Sequence, residues 1–191
     1  AVDVRPEVTS SLDAVMAKVG AAVAATEPGR WIMAFGFDPK HMRRGTRAPT
    51  RAEIDDVAPR NPVLIVHFSF HESFANGAAL AASGFSEASA DPPAGKLGRD
   101  RSGRLNGYLF EAAHGRAVVC AQADLLKFGK ELMRTGIEHF QNELFSRGIT
   151  GICDPWVPHF IEEIYVEAAQ SGLLKIGATL MAGSPVGRLG L

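Results

Sequence analysis

Residues 63–68 read Val-Leu-Ile-Val-His-Phe, and this run constrains the fold more than any other part of the chain. A continuous apolar segment of this length is typical of a buried strand. Thr50 and Glu53 have capping-box spacing and open a short helix, which ends near Pro59 and Pro62. The sequence therefore predicts a short helix that leads into a buried strand.

The residues before this run contain a second helix signal and a second strand signal. An apolar stripe with helical spacing occupies residues 12–23, and Ser10 precedes it at capping-box spacing from Asp13. Pro and Gly residues end that helix, and residues 31–37 then read as a strand.

The residues that follow the run predict a helix and a hairpin. Residues 73–83 are rich in Ala and are followed by Gly84, a residue that favours the end of a helix. Residues 96–99 and 105–110 flank an Asp-Arg-Ser-Gly segment that suits a tight turn. The first two-thirds of the chain are therefore predicted to be of mixed α+β class.

The pattern changes in the last third of the chain. A long helical stretch over residues 117–147 is followed by a strand at 149–154, a helix at 160–171 and a strand at 174–181. A strand, helix and strand joined by short loops indicate parallel strands. This part is predicted to be a slice of an α/β barrel, partial and TIM-barrel-like.

Charge and cysteine content exclude several classes of function. The net charge of −1 gives no electrostatic basis for binding nucleic acid or an anionic membrane, and the basic clusters at 40–47 and 96–104 read as solvated loops. The only two cysteines, Cys120 and Cys153, form no disulfide framework or CxxC metal motif, which favours a cytoplasmic setting. No apolar run is long enough for a membrane span, and no signal peptide is evident.

Residues 49–113 contain a set of spaced residues in a particular order. The residues in order are Pro49, Thr50, Arg51, Asp55, Pro59, Pro62, Val63, His71, Asn76, Ala79, Leu80, Gly84, Asp91, Pro92, Gly95, Asp100, Gly103, Gly107, Leu109, Glu111, Ala112 and Ala113. This order resembles one group within the metal-dependent amidohydrolase superfamily, the group that includes N-substituted formamide deformylases. The specificity comes from the order of the whole set, because each short motif alone is common.

The chain departs from the group's pattern in two places. The loop that often reads Gly-His in this group reads Phe70-His71 here, and Asn76 is followed by Gly77 instead of a small hydroxyl residue. The group's first metal motif is a His-x-His pair, and no such pair occurs in the 191 residues. The resemblance implies that this motif lies upstream of the chain and that the later metal ligands lie downstream.

The resemblance implies a three-part organisation. Residues 1–28 are expected to be a helical lead-in, 29–116 an α+β domain inserted early in a TIM-type barrel, and 117–191 a long helix with a βαβ slice of an incomplete barrel. The chain starts at Ala1 without an initiator Met, which fits a processed product, an excised fragment or an engineered piece.

The chemistry that the resemblance implies is hydrolysis of a non-peptide C–N bond in a small amide, formamide or cyclic amide. A divalent metal, with zinc as the first choice, would activate the attacking water. The metal ligands are expected to come from outside this chain, so the isolated chain is expected to bind no metal stably and to be inactive.

Two acidic residues are candidates for the metal site. Glu111 follows an apolar strand and matches an acidic position of the group's pattern, so it could ligate the metal or orient a ligand. The alternative for Glu111 is a helix-start carboxylate favoured by the helix dipole. Asp154 ends a predicted barrel strand, where barrel active sites are built, although Asp154 followed by Pro155 is also a common turn start.

Two histidines lie near these candidates in the sequence. His71 is a candidate for the substrate side of the site, and the alternative is a loop histidine that fixes a turn through hydrogen bonds to backbone. His114 has no partner at ligand spacing and is expected to be exposed.

A different class of function remains open. The chain could be a noncatalytic folded module that serves as a lid, a ligand-binding domain or an oligomerisation domain. An apolar surface left by missing barrel strands would then favour self-association. A third possibility is an enzyme built from two chains.

Overall fold

The computed structural model describes residues 1–127, 130–157 and 159–182, which fall into two compact units, Ala1–Lys127 and Phe128–Leu191. The elements of the first unit are β1 (Val2–Asp3), α1 (Leu12–Ala24), β2 (Ile32–Phe37), α2 (Arg51–Val57), β3 (Val63–His67), β4 (Glu72–Ala75), α3 (Gly77–Ala82), β5 (Gly95–Arg99), β6 (Leu105–Glu111) and α4 (Ala112–Leu126). Those of the second unit are α5 (Lys130–Ser146), β7 (Gly151–Val157), α6 (His159–Gln170) and β8 (Gly177–Ala182).

The first unit is built on a six-stranded mixed sheet with the order β1-β2-β3-β4-β6-β5. Strands β1, β2 and β3 are parallel, and β4, β6 and β5 continue the sheet with antiparallel pairing. The carboxyl ends of β1, β2 and β3 therefore lie at one edge of the sheet. This class of sheet with helices confirms the mixed α+β prediction for this part of the chain.

Strand β3 is buried on both faces, as its apolar run predicts. Leu64 and Val66 belong to one hydrophobic core, together with residues of α3 and α4. Val63 and Ile65 point to the opposite face and belong to a second core with residues of α1 and α2. Alternate side chains of one strand thus supply the centre of two cores.

The cap predicted for helix α2 is confirmed, and the cap predicted for helix α1 is not. Thr50 and Glu53 form the predicted capping box at the start of α2. Helix α1 is capped by Ser11, whose side chain accepts a hydrogen bond from the Ala14 backbone, so the prediction of Ser10 as the cap is wrong by one residue.

Two predicted helix boundaries are wrong. The segment predicted as one helix over 73–83 starts as strand β4, and only Gly77–Ala82 is helical. Its first residues pair with β3 and β6, and this pairing overrides the helical propensity of the Ala-rich composition. Helix α4 starts at Ala112, five residues earlier than predicted, because β6 runs into it without a loop.

The change from strand to helix at residue 76 depends on a buried amide. Asn76 is fully buried, and its side-chain oxygen accepts hydrogen bonds from the backbone of Val63 and Ala79. Its side-chain nitrogen donates to the carbonyl oxygens of Ala58 and Asn61. One side chain therefore caps α3 and joins it to β3 and to the residues that follow α2, with every donor and acceptor of the amide satisfied.

The second unit contains the predicted strand, helix and strand order. Strands β7 and β8 are parallel, which confirms that prediction, and the pairing shifts between Asp154 and Val157. The buried Gln141 of α5 donates to the Leu173 carbonyl oxygen and accepts from the Lys175 backbone. The predicted strand at 149–154 is displaced to Gly151–Val157.

Among the residues that the structure describes, β7 and β8 form an open two-stranded sheet, so a closed barrel is not confirmed. Within the long predicted helix, α4 ends at Leu126 and α5 begins at Lys130, and Gly129, a predicted place for a break, lies outside the described residues. Helix α5 continues through Gly136. Within the described ranges, no helix is long and apolar enough to span a membrane.

We expect the substitution Asn76→Ala to destabilise the first unit by at least about 3 kcal/mol, because it leaves two backbone donors and two backbone acceptors buried without partners. Urea unfolding would measure the loss. Asn106→Ala is the matched control, since Asn106 is exposed and its two side-chain hydrogen bonds, to the Arg99 carbonyl oxygen and from the Tyr108 backbone, are exposed as well. Equal effects of the two substitutions would contradict this role of Asn76.

Candidate functional site

Two of the three candidate residues lie side by side at one edge of the first unit's sheet. His71 follows the turn between β3 and β4, and Glu111 is the last residue of β6. The His71 Nδ1 atom lies 3.0 Å from Glu111 Oε1, and the Glu111 backbone donates to the His71 carbonyl oxygen at 2.8 Å. Both side chains are about half exposed. The sheet register thus brings together residues that are 40 positions apart.

The backbone around this pair is strained. In the described part of the chain, three residues other than glycine have positive φ, namely Phe70 at 59°, Ala94 at 55° and Glu111 at 48°. Phe70 precedes His71, and Ala94 accepts a hydrogen bond from the Ala112 backbone, next to Glu111. Left-handed backbone is costly for such residues and concentrates at functional sites. All three strained residues therefore lie at or beside the contact between His71 and Glu111.

Glu111 also lies at the start of helix α4, whose first residue is Ala112. The helix-start interpretation of this carboxylate is therefore compatible with the geometry, as is the ligand-orienting one. The roles of Glu111 and His71 remain predictions.

His114 lies beneath the pair and is buried, so the prediction that it is exposed is wrong. Because α4 starts at Ala112, His114 is in its first turn and faces the sheet, where its Nδ1 lies 3.1 Å from Ser73 Oγ. Burial lowers the pKa of His114 to about 4, against the opposing influence of the Glu111 carboxylate. His114 is therefore neutral at pH 7.

A second polar group lies on the other face of β4. The Tyr108 hydroxyl donates to Glu72 Oε2 at 2.5 Å, and Glu72 Oε1 lies 3.4 Å from His67 Nδ1. Burial, together with the hydrogen bond to Glu72, raises the pKa of Tyr108 to about 12. This group was missed by sequence reasoning, because strand β4 itself was not predicted.

Exposed aromatic side chains flank the turn that carries His71. Phe68 and Phe70 are 52% and 60% exposed, which is unusual for Phe. The Phe70 ring stacks on Phe35, with ring centroids 5.9 Å apart. The Phe70 departure from the Gly-His pattern thus places a large ring at a backbone conformation that glycine adopts without strain.

The carboxyl ends of β1, β2 and β3 border a depression of about 570 Å³, lined in part by Arg5, Asp38, His41 and Phe68. The His41 ring lies 2.5 Å from Asp38 Oδ2. Burial raises the pKa of Asp38, but hydrogen bonds from His41 and from the Lys40 backbone outweigh burial and hold it below its ordinary value. The depression is therefore lined by both a positively charged side chain, Arg5, and a negatively charged one, Asp38.

Asp154 lies in the second unit, within strand β7 and not at its end. The Tyr165 hydroxyl donates to Asp154 Oδ2 at 3.2 Å. The pairing of β7 with β8 is irregular directly after Asp154, so Asp154 and Pro155 lie in a bulged strand and not at the start of a turn.

The metal-binding capacity of the described residues is small. Among residues 1–127, 130–157 and 159–182, no group of three or more His, Cys, Asp and Glu side chains is placed to hold a metal ion. His71 and Glu111 supply two candidate ligands, whereas zinc sites in enzymes commonly have three protein ligands. The pair alone therefore does not fit the metal centre that the sequence resemblance implies.

Comparison with known proteins relates nearly the whole chain to one family. Residues 2–176 match the model of the amidohydrolase family. The chain is 31% identical over 163 residues to an N-substituted formamide deformylase from Arthrobacter pascens, which covers 85% of this chain and 30% of that protein. It is 28% identical over 102 residues to the putative amidohydrolase YtcJ of Bacillus subtilis, covering 53% of this chain and 18% of that protein.

The fold is similar to that of part of a solved structure. A metal-dependent hydrolase from Pyrococcus horikoshii matches with a TM-score of 0.62 and 22% identity, over 95% of this chain and 32% of that chain. The chain thus spans about a third or less of the length of these relatives.

We expect Phe70→Gly to change the free energy of unfolding by no more than about 1 kcal/mol. Relief of left-handed strain offsets the lost ring contact and the greater entropy of an unfolded chain with Gly. The buried Phe74 gives the contrast, since Phe74→Ala should cost about 3–5 kcal/mol. Urea unfolding of both variants is the test, and a loss above about 2 kcal/mol for Phe70→Gly would show that strain at this position is small.

We expect His114 to make stability depend on pH. Its pKa is lowered from 6.5 to about 4 in the folded protein, so the unfolded chain takes up a proton first as the pH falls. The stabilisation is complete above pH 6.5 and decreases by about 3 kcal/mol as the pH approaches 4. Urea unfolding at several pH values should show a smaller decrease for His114→Gln, whereas His139→Gln, a substitution of an exposed histidine, should match the wild type. Identical pH profiles for His114→Gln and the wild type would refute this linkage.

Proposed function

This chain belongs to the amidohydrolase family, and from that membership we propose that it is part of a metal-dependent hydrolase that cleaves a non-peptide C–N bond. The substrate would be a small amide, formamide or cyclic amide. The observation that carries the proposal is the similarity to an N-substituted formamide deformylase over 85% of this chain. The substrate class is taken from the name of that relative and from the family.

We propose that the complete enzyme supplies most of the metal-binding residues from outside this chain. The chain matches 30% of the deformylase, and its described residues place only two candidate ligands together. The metal would be divalent, with zinc as the first choice. Strands β7 and β8 would be barrel strands of the complete protein, and residues 29–116, which lie within the first unit, would be the inserted domain.

The proposed task of His71 and Glu111 is to bind and orient the substrate amide. In a neutral imidazole, an Nδ1–H that donates to Glu111 leaves Nε2 as a hydrogen-bond acceptor. The second carboxylate oxygen of Glu111 can accept an amide N–H. The strained backbone at Phe70 and Glu111 supports this proposal, because such strain persists where the surrounding structure holds a side chain in a required direction.

One observation favours a second candidate function, a noncatalytic module. The residues Ala1–Lys127 form a compact unit with two hydrophobic cores of their own. A unit of this kind could fold alone and act as a lid, a ligand-binding domain or an oligomerisation domain. We also propose that the chain self-associates through its barrel-facing surface. Its proposed location is the cytoplasm, and we propose no nucleic-acid or membrane partner.

We expect the purified chain to release no formate from an N-substituted formamide, with or without added zinc, because the described residues form no three-ligand metal site. Formate release and metal content before and after dialysis against a chelator are the measurements. Glu111→Gln serves as the matched variant. Zinc-dependent turnover that Glu111→Gln abolishes would contradict the fragment proposal and would show that the chain is a complete enzyme.

A further inference from the structure

Phe70 combines two unfavourable properties beside the candidate site. Its backbone is left-handed at φ 59°, and the residue is 60% exposed to solvent. Glycine or asparagine would occupy this conformation with less strain, and a polar side chain would expose less apolar surface. Phe70 is not among the buried residues of either hydrophobic core, and its ring contact with Phe35 leaves the residue mostly exposed. The ring therefore calls for an explanation outside folding.

The register of the sheet places this ring and Glu111 on either side of His71. Phe35 pairs with Val66, Val66 with Ser73, and Ser73 with Leu109, so these four residues form a row across β2, β3, β4 and β6. The Phe70 ring stacks on Phe35 at one end of the row. At the other end, Glu111 lies two residues beyond Leu109 and contacts His71.

The two flanks of His71 differ in chemistry. On one flank the Phe70 ring offers an apolar face, extended by the half-exposed Phe68. On the other flank Glu111 uses Oε1 for His71, and no hydrogen bond from a described residue engages its Oε2. A carboxylate oxygen accepts an amide N–H well, and an aromatic face binds alkyl or aryl groups. Together, the Phe70 ring and the Glu111 Oε2 atom suit an amide whose nitrogen carries both a hydrogen and an apolar substituent.

We propose that Phe70 is a specificity-determining residue that contacts an apolar substituent on the substrate nitrogen, while Glu111 accepts the N–H of the same amide. This inference rests on the proposed function, since it takes the substrate to be an amide. It goes further by assigning a preference for apolar over polar substituents, and by assigning that preference to one side chain.

The test is a ¹⁵N NMR titration of the 191-residue chain with two probes of similar size, N-butylformamide and N-(2-methoxyethyl)formamide. The wild type should bind the butyl compound at least about threefold more tightly, the difference expected when one CH₂ group is replaced by an ether oxygen at a partly exposed apolar contact. The largest shifts should occur at residues 68–71 and 111.

Three variants assign the preference. Phe70→Gly and Phe70→Asn both tolerate positive φ and should remain folded, and each should bind the two probes equally. Phe140→Ala removes another exposed phenyl ring, in the second unit, and should keep the wild-type preference. Equal binding of the two probes by the wild type, or a preserved preference in both Phe70 variants, would overturn the inference.

Binding and turnover separate this inference from the proposed function. The titration needs no catalysis, so its outcome does not depend on whether the chain carries a metal. A preference that Phe70 controls, together with a complete protein that cleaves no C–N bond, would remove the proposed hydrolysis and leave the binding site. The opposite result, a formamide hydrolase that is indifferent to Phe70, would remove only the inference.

Discussion

The buried amide of Asn76 is the interaction on which the arrangement of the first unit depends. Its four hydrogen bonds join β3, the residues after α2 and the first turn of α3. They fix the end of β4 opposite the start of β3, with Leu64 facing Ala75. A strand shifted by one residue would send every β4 side chain to the other face. The same register continues into β6 and places His71 opposite Glu111.

Many residues of the spaced pattern have structural tasks of this kind. Arg51 contacts both Asp55 and Glu87, and it donates to the Leu105 carbonyl oxygen. Gly107 has φ 93°, and a Cβ atom there would collide with the carbonyl oxygen of Ala75, so a side chain at this position would separate β4 from β6. The pattern that relates this chain to its family therefore describes a fold more than a reaction. Within the same pattern, His71 and Glu111 are the residues for which we propose a chemical task.

Local signals in the sequence predict their elements correctly, whereas contacts between distant residues leave no such signal. The apolar run of β3 and the capping box of α2 are decided by neighbours in the sequence, and both predictions are confirmed. Strand β4 was predicted as helix because its pairing with β3 and β6 is invisible in a local window. The sequence shows no partner for His114, and its burial follows from its place in the first turn of α4, directly after β6. His71 and Glu111 were proposed separately, and their contact depends on a register that no spacing in the sequence encodes.

Strand β6 passes directly into helix α4, with no loop residue between them. Glu111 ends the strand and Ala112 begins the helix, so the rotation of the helix about its axis is set by the strand. One inserted residue at this joint would turn α4 by about 100° and would carry His114 away from Ser73. Tolerance to insertions and deletions should therefore fall to a minimum at this joint, while the exposed turn at 100–104 should accept changes of length. Related proteins should therefore show no insertions or deletions between the residues that correspond to Glu111 and Ala112.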